Sequence, residues 1–217
     1  MKPLLPLLPL ALLLAGAVVQ ADDDGVTVIN GCRLEADSQC PAADLRGADL
    51  RHLDLRRINL AGADLSGADL RHATLDLANL EKARLHKADL TRASLQQANL
   101  RLADFSGARL VAINGWALHA QAARFTGADL TAANLEFARL SAARLHDADL
   151  TAANLEMAWL SKADFKGATL RDANLQEAKV NDANLEAVDL AGARRHYATF
   201  QGTNMEGCRE CPLDWER

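Results

Sequence analysis

Aromatic side chains are scarce in this chain: five Phe, three Trp and one Tyr among 217 residues. A core of stacked small and medium side chains leaves such a shortage. Charge of one sign is lacking too. Residues 41–110 carry eleven Lys/Arg against nine Asp/Glu, and residues 111–205 carry nine against eleven. A body this neutral offers neither the basic surface of a nucleic-acid binder nor a strongly acidic one. Catalytic signatures are also missing. There is no P-loop, dinucleotide fingerprint, nucleophile elbow or metalloprotease motif, and so no cofactor and no enzymatic activity are expected.

Long apolar runs occur once, between Pro3 and Val19, behind Lys2. Pro3, Pro6 and Pro9 weaken a long helix, and the run is short for a membrane span. Val19-Gln20-Ala21 offers the small or apolar residues that a signal peptidase reads. Residues 1–21 are therefore expected to be a signal peptide cleaved after Ala21, which leaves no integral membrane span; an uncleaved anchor is the alternative. The mature chain is expected to be periplasmic or secreted. Losing Lys2 takes the formal charge of −5 to −6, and the excess negative charge sits in the flanks of the body.

What is abundant is a period of five. Of the thirty-three slots at every fifth residue from Leu45 to Met205, thirty hold Leu, Phe, Val or Met. The slot two residues earlier is alanine in twenty-seven cases. An α-helix turns about 500° in five residues, so these leucines would spiral around it and share no buried face. A flat strand fails as well, because an odd period sends alternate leucines to opposite sides. The chain must turn within every unit.

Units such as Ala43-Asp44-Leu45, Ala63-Asp64-Leu65, Ala133-Asn134-Leu135 and Ala183-Asn184-Leu185 follow an A(D/N)LXX pattern. The chain thereby resembles the pentapeptide-repeat family, over about three quarters of its length and without a register slip. The resemblance implies an all-β fold, a right-handed quadrilateral β-helix with twenty residues per coil. Residues 41–205 would make about eight coils, a rod on the order of 38 Å long. Asn134, Asn154 and Asn174 then stack as a ladder, and Gly47, Gly67, Gly107, Gly127 and Gly167 share a column where a turn wants positive φ. Some cytoplasmic members of that family mimic B-form DNA and bind DNA gyrase. That role calls for an acidic surface and a cytoplasmic address, which the neutral body and the expected leader both oppose.

Such a rod has two ends to cover. Residues 22–40, with Val26-Thr27-Val28 and the turn signal Asn30-Gly31, read as an N-terminal cap, and residues 206–217, with Pro212 and Trp215, as a C-terminal one. Cys32 and Cys40 precede the repeats, and Cys208 and Cys211 follow them. In an exported protein disulfides are expected. With the pairs at opposite ends of the rod, the pairing left is Cys32–Cys40 and Cys208–Cys211. Cys208-Arg209-Glu210-Cys211 also matches a redox CxxC, but without the thioredoxin-like context.

The exceptions to the repeat are where function would be written. Gly115 and Ala120 replace core leucines while Ile113 and Leu118 replace alanines, so an irregular coil is expected at 111–120, with Asn114-Gly115 as a turn. Arg195 occupies a core slot and is expected to reach the open end or solvent. Phe137 falls outward, with Met157 one coil later, Trp159 two residues beyond, Trp116 one coil before, and Tyr197 farther along the column. These five make a candidate apolar interface for a protein partner or a second copy. Arg46, Arg51, Arg56, Arg57, Arg71 and Arg92, with His52 and His72, form a weaker basic strip facing an anionic envelope polymer, cut by interleaved aspartates. No metal site is expected from two histidines alone. The leading expectation is a non-enzymatic scaffold or protein-interaction module of the cell envelope. The alternatives are a thiol-disulfide redox protein using Cys208 and Cys211, and a carbohydrate-binding rod using Trp116, Trp159 and Tyr197.

Overall fold

The computed structural model describes residues 12–14, 17–22 and 25–212. Lys2, Pro3, Pro6 and Pro9, and Trp215 at the other terminus, lie outside the described residues. Four short strands, β1 (Leu12–Leu14), β2 (Ala17–Ala21), β3 (Thr27–Ile29) and β4 (Cys32–Arg33), form an antiparallel sheet in chain order. Asn30 and Gly31 join β3 to β4 with φ of 50° and 82°, the positive pair that a two-residue hairpin turn requires. Ile29, Cys32 and Leu34 are buried and join the core. β1 and β2 belong to the segment expected to be cleaved; its loss would leave β3 as an edge.

From Gln39 onward the chain repeats one unit. Each residue preceding a core slot bridges in parallel to the residue twenty later, from Gln39–Asn59 to Asp189–Arg209. Four units therefore complete one coil. The hydrogen bonds show why five residues suffice. The Leu65 N–H donates to the Arg84 carbonyl (2.7 Å) and the Gly67 N–H to that of His86 (2.9 Å), both one coil on. The Ala68 N–H closes a β-turn onto the Leu65 carbonyl (3.0 Å), and the Asp69 N–H reaches back to Ala48 (2.9 Å). One N–H per unit remains, and the Asp or Asn before the leucine takes it. The Ser66 N–H donates to Asp64 Oδ1 (3.0 Å), as those of Thr91 and Thr151 do to Asp89 and Asp149 (2.9 Å each). The recurrence of Asp and Asn is backbone accounting, since a short side-chain acceptor two residues back completes the set.

Every turn places its second residue in the left-handed region. The glycines named above do so (Gly47 at φ 62°, Gly167 at 72°), but so do His52, Ala132, Phe137 and Met157 at 54–60°. Positive φ is thus general to the repeat and not confined to one glycine column. Asparagine side chains link the coils, with Nδ2 of Asn154 and Asn174 donating to Oδ1 of Asn134 and Asn154 (3.2 and 3.0 Å). A second ladder runs through Gln39, Asn59, Asn79 and Asn99 at 3.0–3.1 Å.

The core is a stack of Leu and Ala at or near zero exposure, with Phe105 and Phe125 stacked at 5.1 Å and 9°. The irregular coil expected at 111–120 is absent. Asn114 bridges Ser94 and Asn134, and His119 bridges Asn99 and Arg139, in the ordinary register. Size exchange accounts for this. A Cβ on Gly115 would lie 2.4 Å from Leu118 Cδ2 and 3.1 Å from Leu135 Cδ2, so Leu118 fills the volume that a leucine at 115 would take. Asn114-Gly115 is not the turn; Trp116-Ala117 is, with Ala117 at φ 53°. Arg195 lies at the terminal ladder, half-buried, and donates to the Glu210 carbonyl.

Candidate interaction surface

With the backbone satisfied from within, what differs along the rod is what points outward. Trp116 and Phe137 meet edge to face, with ring centroids 6.1 Å apart at 76°. Trp116 is half-buried and Phe137 is 39% exposed, held out by its left-handed turn position. Met157, half-buried, occupies the next turn of that column. The other two interface candidates belong elsewhere. Trp159 sits on the adjoining face, 49% exposed, with Lys179 Nζ at 4.6 Å and Arg139 Cζ at 5.8 Å from its ring. Tyr197 lies two coils past Met157 beyond Glu177, packed only against His196 at 3.9 Å among the described rings. Trp116 and Phe137 are in contact, Met157 follows Phe137 one coil on, and the ring contacts of Trp159 and Tyr197 are with other residues. The sequence reading missed Leu102, which is 51% exposed on another corner.

The N-terminal basic strip is neutralised except at Arg92, which has no carboxylate at ion-pairing distance among the described residues. Asp44, Asp49, Asp54 and Asp69 each hold the arginine two residues on, with Nη2–Oδ2 distances of 2.5–2.6 Å and a second contact from Nε. The arginine bonds pull Asp44 and Asp49 down to about 2. Arg57 is bound by Asp37, and Arg84 by Asp64 at 2.9 Å. His52 and His72 stack at 4.9 Å. No group of three or more His, Cys, Asp or Glu among the described residues could hold a metal ion.

A different set of cations stands without such partners. On one face the residue before the core slot is neither Asp nor Asn in five successive coils: His119, Arg139, Trp159, Lys179 and Thr199. Arg124 and Arg144 occupy the equivalent place on the next face. Arg124 touches Asp104 at 3.9 Å; Arg139, Arg144, Lys162 and Lys179 have no carboxylate at ion-pairing distance among the described residues. Burial, then the charges of Arg139 and Arg101, holds the His119 imidazole below its ordinary value. The signal was legible as a run of non-Asx residues at one register position.

At the two ends, Cys32–Cys40 and Cys208–Cys211 are paired at disulfide distance, with Cα separations of 5.3 and 5.8 Å. A shallow cavity of about 380 Å³ lies between the Asn30-Gly31 turn and Cys40–Asp44. No helix among the described residues is long and apolar enough to cross a membrane.

The family model described as Pentapeptide repeats, in eight copies, matches residues 43–81, 78–113, 120–147, 128–167 and 168–207. Among solved structures, HetL, a pentapeptide repeat protein involved in heterocyst differentiation regulation in the cyanobacterium Nostoc, is 30% identical over 78% of this chain and 86% of its own, with a TM-score of 0.48. QnrB1, a plasmid-mediated fluoroquinolone resistance protein, is 19% identical over 76% and 90%, also with a TM-score of 0.48. A pentapeptide repeat protein of the Arabidopsis thaliana thylakoid lumen is 30% identical over 56% and 72%, with a TM-score of 0.21. A comparison with curated proteins finds no match.

Proposed function

Since the chain belongs to the pentapeptide-repeat family, we propose that it is a non-enzymatic, exported rod that holds a protein partner or a second copy of itself in the cell envelope. The observation that carries this reading is the outward edge-to-face pair of half-buried Trp116 and exposed Phe137 on a rod whose backbone bonds are already satisfied. Nothing in the repeat needs an aromatic pair there, and aromatic and Met side chains are enriched at protein interfaces. Export rests on the sequence of residues 1–21. The paired cysteines act as clips on the two ends of about eight coils. Surface charge opposes DNA mimicry, because residues 41–205 hold as many Lys/Arg as Asp/Glu. Cys208 and Cys211 lie in turn and irregular backbone rather than at a helix start, which disfavours redox exchange.

The test compares wild-type and Phe137→Ser chains by light scattering of the purified protein and by crosslinking in the intact envelope. A dimer or a crosslinked band that disappears in Phe137→Ser is expected. A wild-type chain that is monomeric and crosslinks to nothing, or a band indifferent to the substitution, overturns the reading.

A further inference from the structure

We propose that the face carrying His119, Arg139, Trp159 and Lys179, with Arg124 and Arg144 on the adjoining face, binds a linear acidic polysaccharide laid along the rod.

Asp or Asn at the register position before the core slot completes the unit by accepting an N–H two residues on, as Asn154 does for Glu156 (3.2 Å). A cation, histidine or tryptophan there forgoes that bond. At most other coils the acceptor is kept, yet one face omits Asp and Asn in five coils running. The first four substitutes are long or aromatic, three of them carry or can carry positive charge, and Thr199 ends the run. Coils are spaced like paired strands, about 4.8 Å, so the stripe is a regular column of outward groups along the axis.

Trp159 separates the two flanking charges. With Lys179 on one side of its ring and Arg139 on the other, the indole favours both cations and keeps them about two coils apart, roughly 10 Å. Its ring faces are therefore occupied by cations, and the stripe offers positive charge and an indole edge in preference to a stacking platform. Around the corner Arg124 and Arg144 extend the field, and the turns between the faces, Gln121-Ala122 and Ser141-Ala142, carry no charge. Lys162 follows on the third of these turns. The array is regular, and among its cations only Arg124 has a carboxylate at ion-pairing distance among the described residues. An extended chain bearing one anionic group per sugar or two has the matching geometry, and charge complementarity selects a polyanion.

Opposing charge stands on both flanks. Glu136, Glu156 and Glu177 occupy the turns that lead into the stripe, and Glu156 accepts from Asn174; on the other flank Asp104 is bonded by Ser106, and Asp164 by His146 and Asn184. The chain as a whole is negative, at −5, so indiscriminate attraction to polyanions is not expected and any binding must be local. This proposal rests on the interaction-module reading above but uses a different stripe, so that either can fail alone.

The experiment measures retention of the purified protein on immobilised polygalacturonate at low salt, with dextran, single-stranded DNA and anionic vesicles as parallel arms. Retention on polygalacturonate, none on dextran, and release by salt are expected. Arg139→Glu with Arg144→Glu should weaken retention about tenfold or more, and Arg139→Gln should make the salt dependence shallower by roughly one cation. Arg46→Glu with Arg51→Glu, on the neutralised strip, should change retention less than about twofold. Phe137→Ser should leave it unchanged. Both cation pairs are exposed, and Lys179→Gln, expected to weaken retention too, supplies a second reading if a charge-reversed chain fails to fold. No retention, equal losses from the two arginine pairs, or tighter binding to DNA or vesicles overturns the proposal.

Discussion

Two groups of basic residues sit on this rod, and they differ by their place in the five-residue unit. Arg46, Arg51, Arg56 and Arg71 follow the core leucine, and each is clasped by the aspartate that precedes it. Arg139, Arg144 and Lys179 stand where that aspartate would be, and so have removed their own partner. In the order Asp-Leu-Arg the leucine points inward, leaving the two charged neighbours side by side outside. A cation in the aspartate's place instead meets the residues one coil above and below: His119 and Trp159 for Arg139, Trp159 and Thr199 for Lys179, and Arg124 and Asp164 for Arg144, where the Asp164 carboxylate is taken by His146 and Asn184. Counting charges treats the groups alike; only the first is neutral in the field it projects.

The comparison breaks most visibly if coil 111–120, which places His119 at the head of the free stripe, is not packed as regularly as its neighbours. Gly115→Leu should cost about 3 kcal/mol through overpacking against Leu118 and Leu135. Adding Leu118→Ala, which restores the ordinary pattern, should recover most of that loss in a chemical melt. Next comes conversion of one group into the other. Asp49→Ala with Asp69→Ala releases Arg51 and Arg71 and removes two N–H acceptors; stability should fall by about 0.5 kcal/mol per site, and retention on polygalacturonate should rise through the newly free arginines. If retention does not rise, unpaired charge is not what distinguishes the groups. The reverse change, Arg139→Asn, should supply an acceptor for the Ser141 N–H and raise stability by about 0.5 kcal/mol while weakening retention.

Acid should separate the two regions with the smallest effects. His119 has a folded-state value below its ordinary 6.5, so the unfolded chain binds the proton more readily. Its contribution is therefore complete above about pH 6.5 and declines as pH falls below it. A small drop in melting temperature there, absent in His119→Asn, is expected. Asp44 and Asp49, lowered from 3.8 to about 2, act in a separate window. Their stabilisation is complete above about pH 4 and fades as pH falls toward 2. Because both are exposed, added salt should shrink that acid step.

Much of the fold was legible because the same rule repeats. The period of five, the inward Leu and Ala, the asparagine ladder and the Asn30-Gly31 hairpin turn all appear at their expected residues. The coil at 111–120 was misjudged because sequence shows which residues changed size but not that Leu118 reaches into the space beside Gly115. The candidate surface was legible in part. Trp116 and Phe137 meet, while the ring contacts of Trp159 and Tyr197 are with other residues. Of the arginines singled out from sequence, all but Arg92 proved to be neutralised.

By itself the sequence determined the coil, because an A(D/N)LXX unit has one inward register and leaves one N–H for one short acceptor. Local chemistry repeated thirty-three times admits no other arrangement of leucines. Only the tertiary structure decided which outward charges survive. Ion pairing and ring stacking act across a coil, between residues eighteen to twenty apart, and a distance of that kind exists only once the coil has closed.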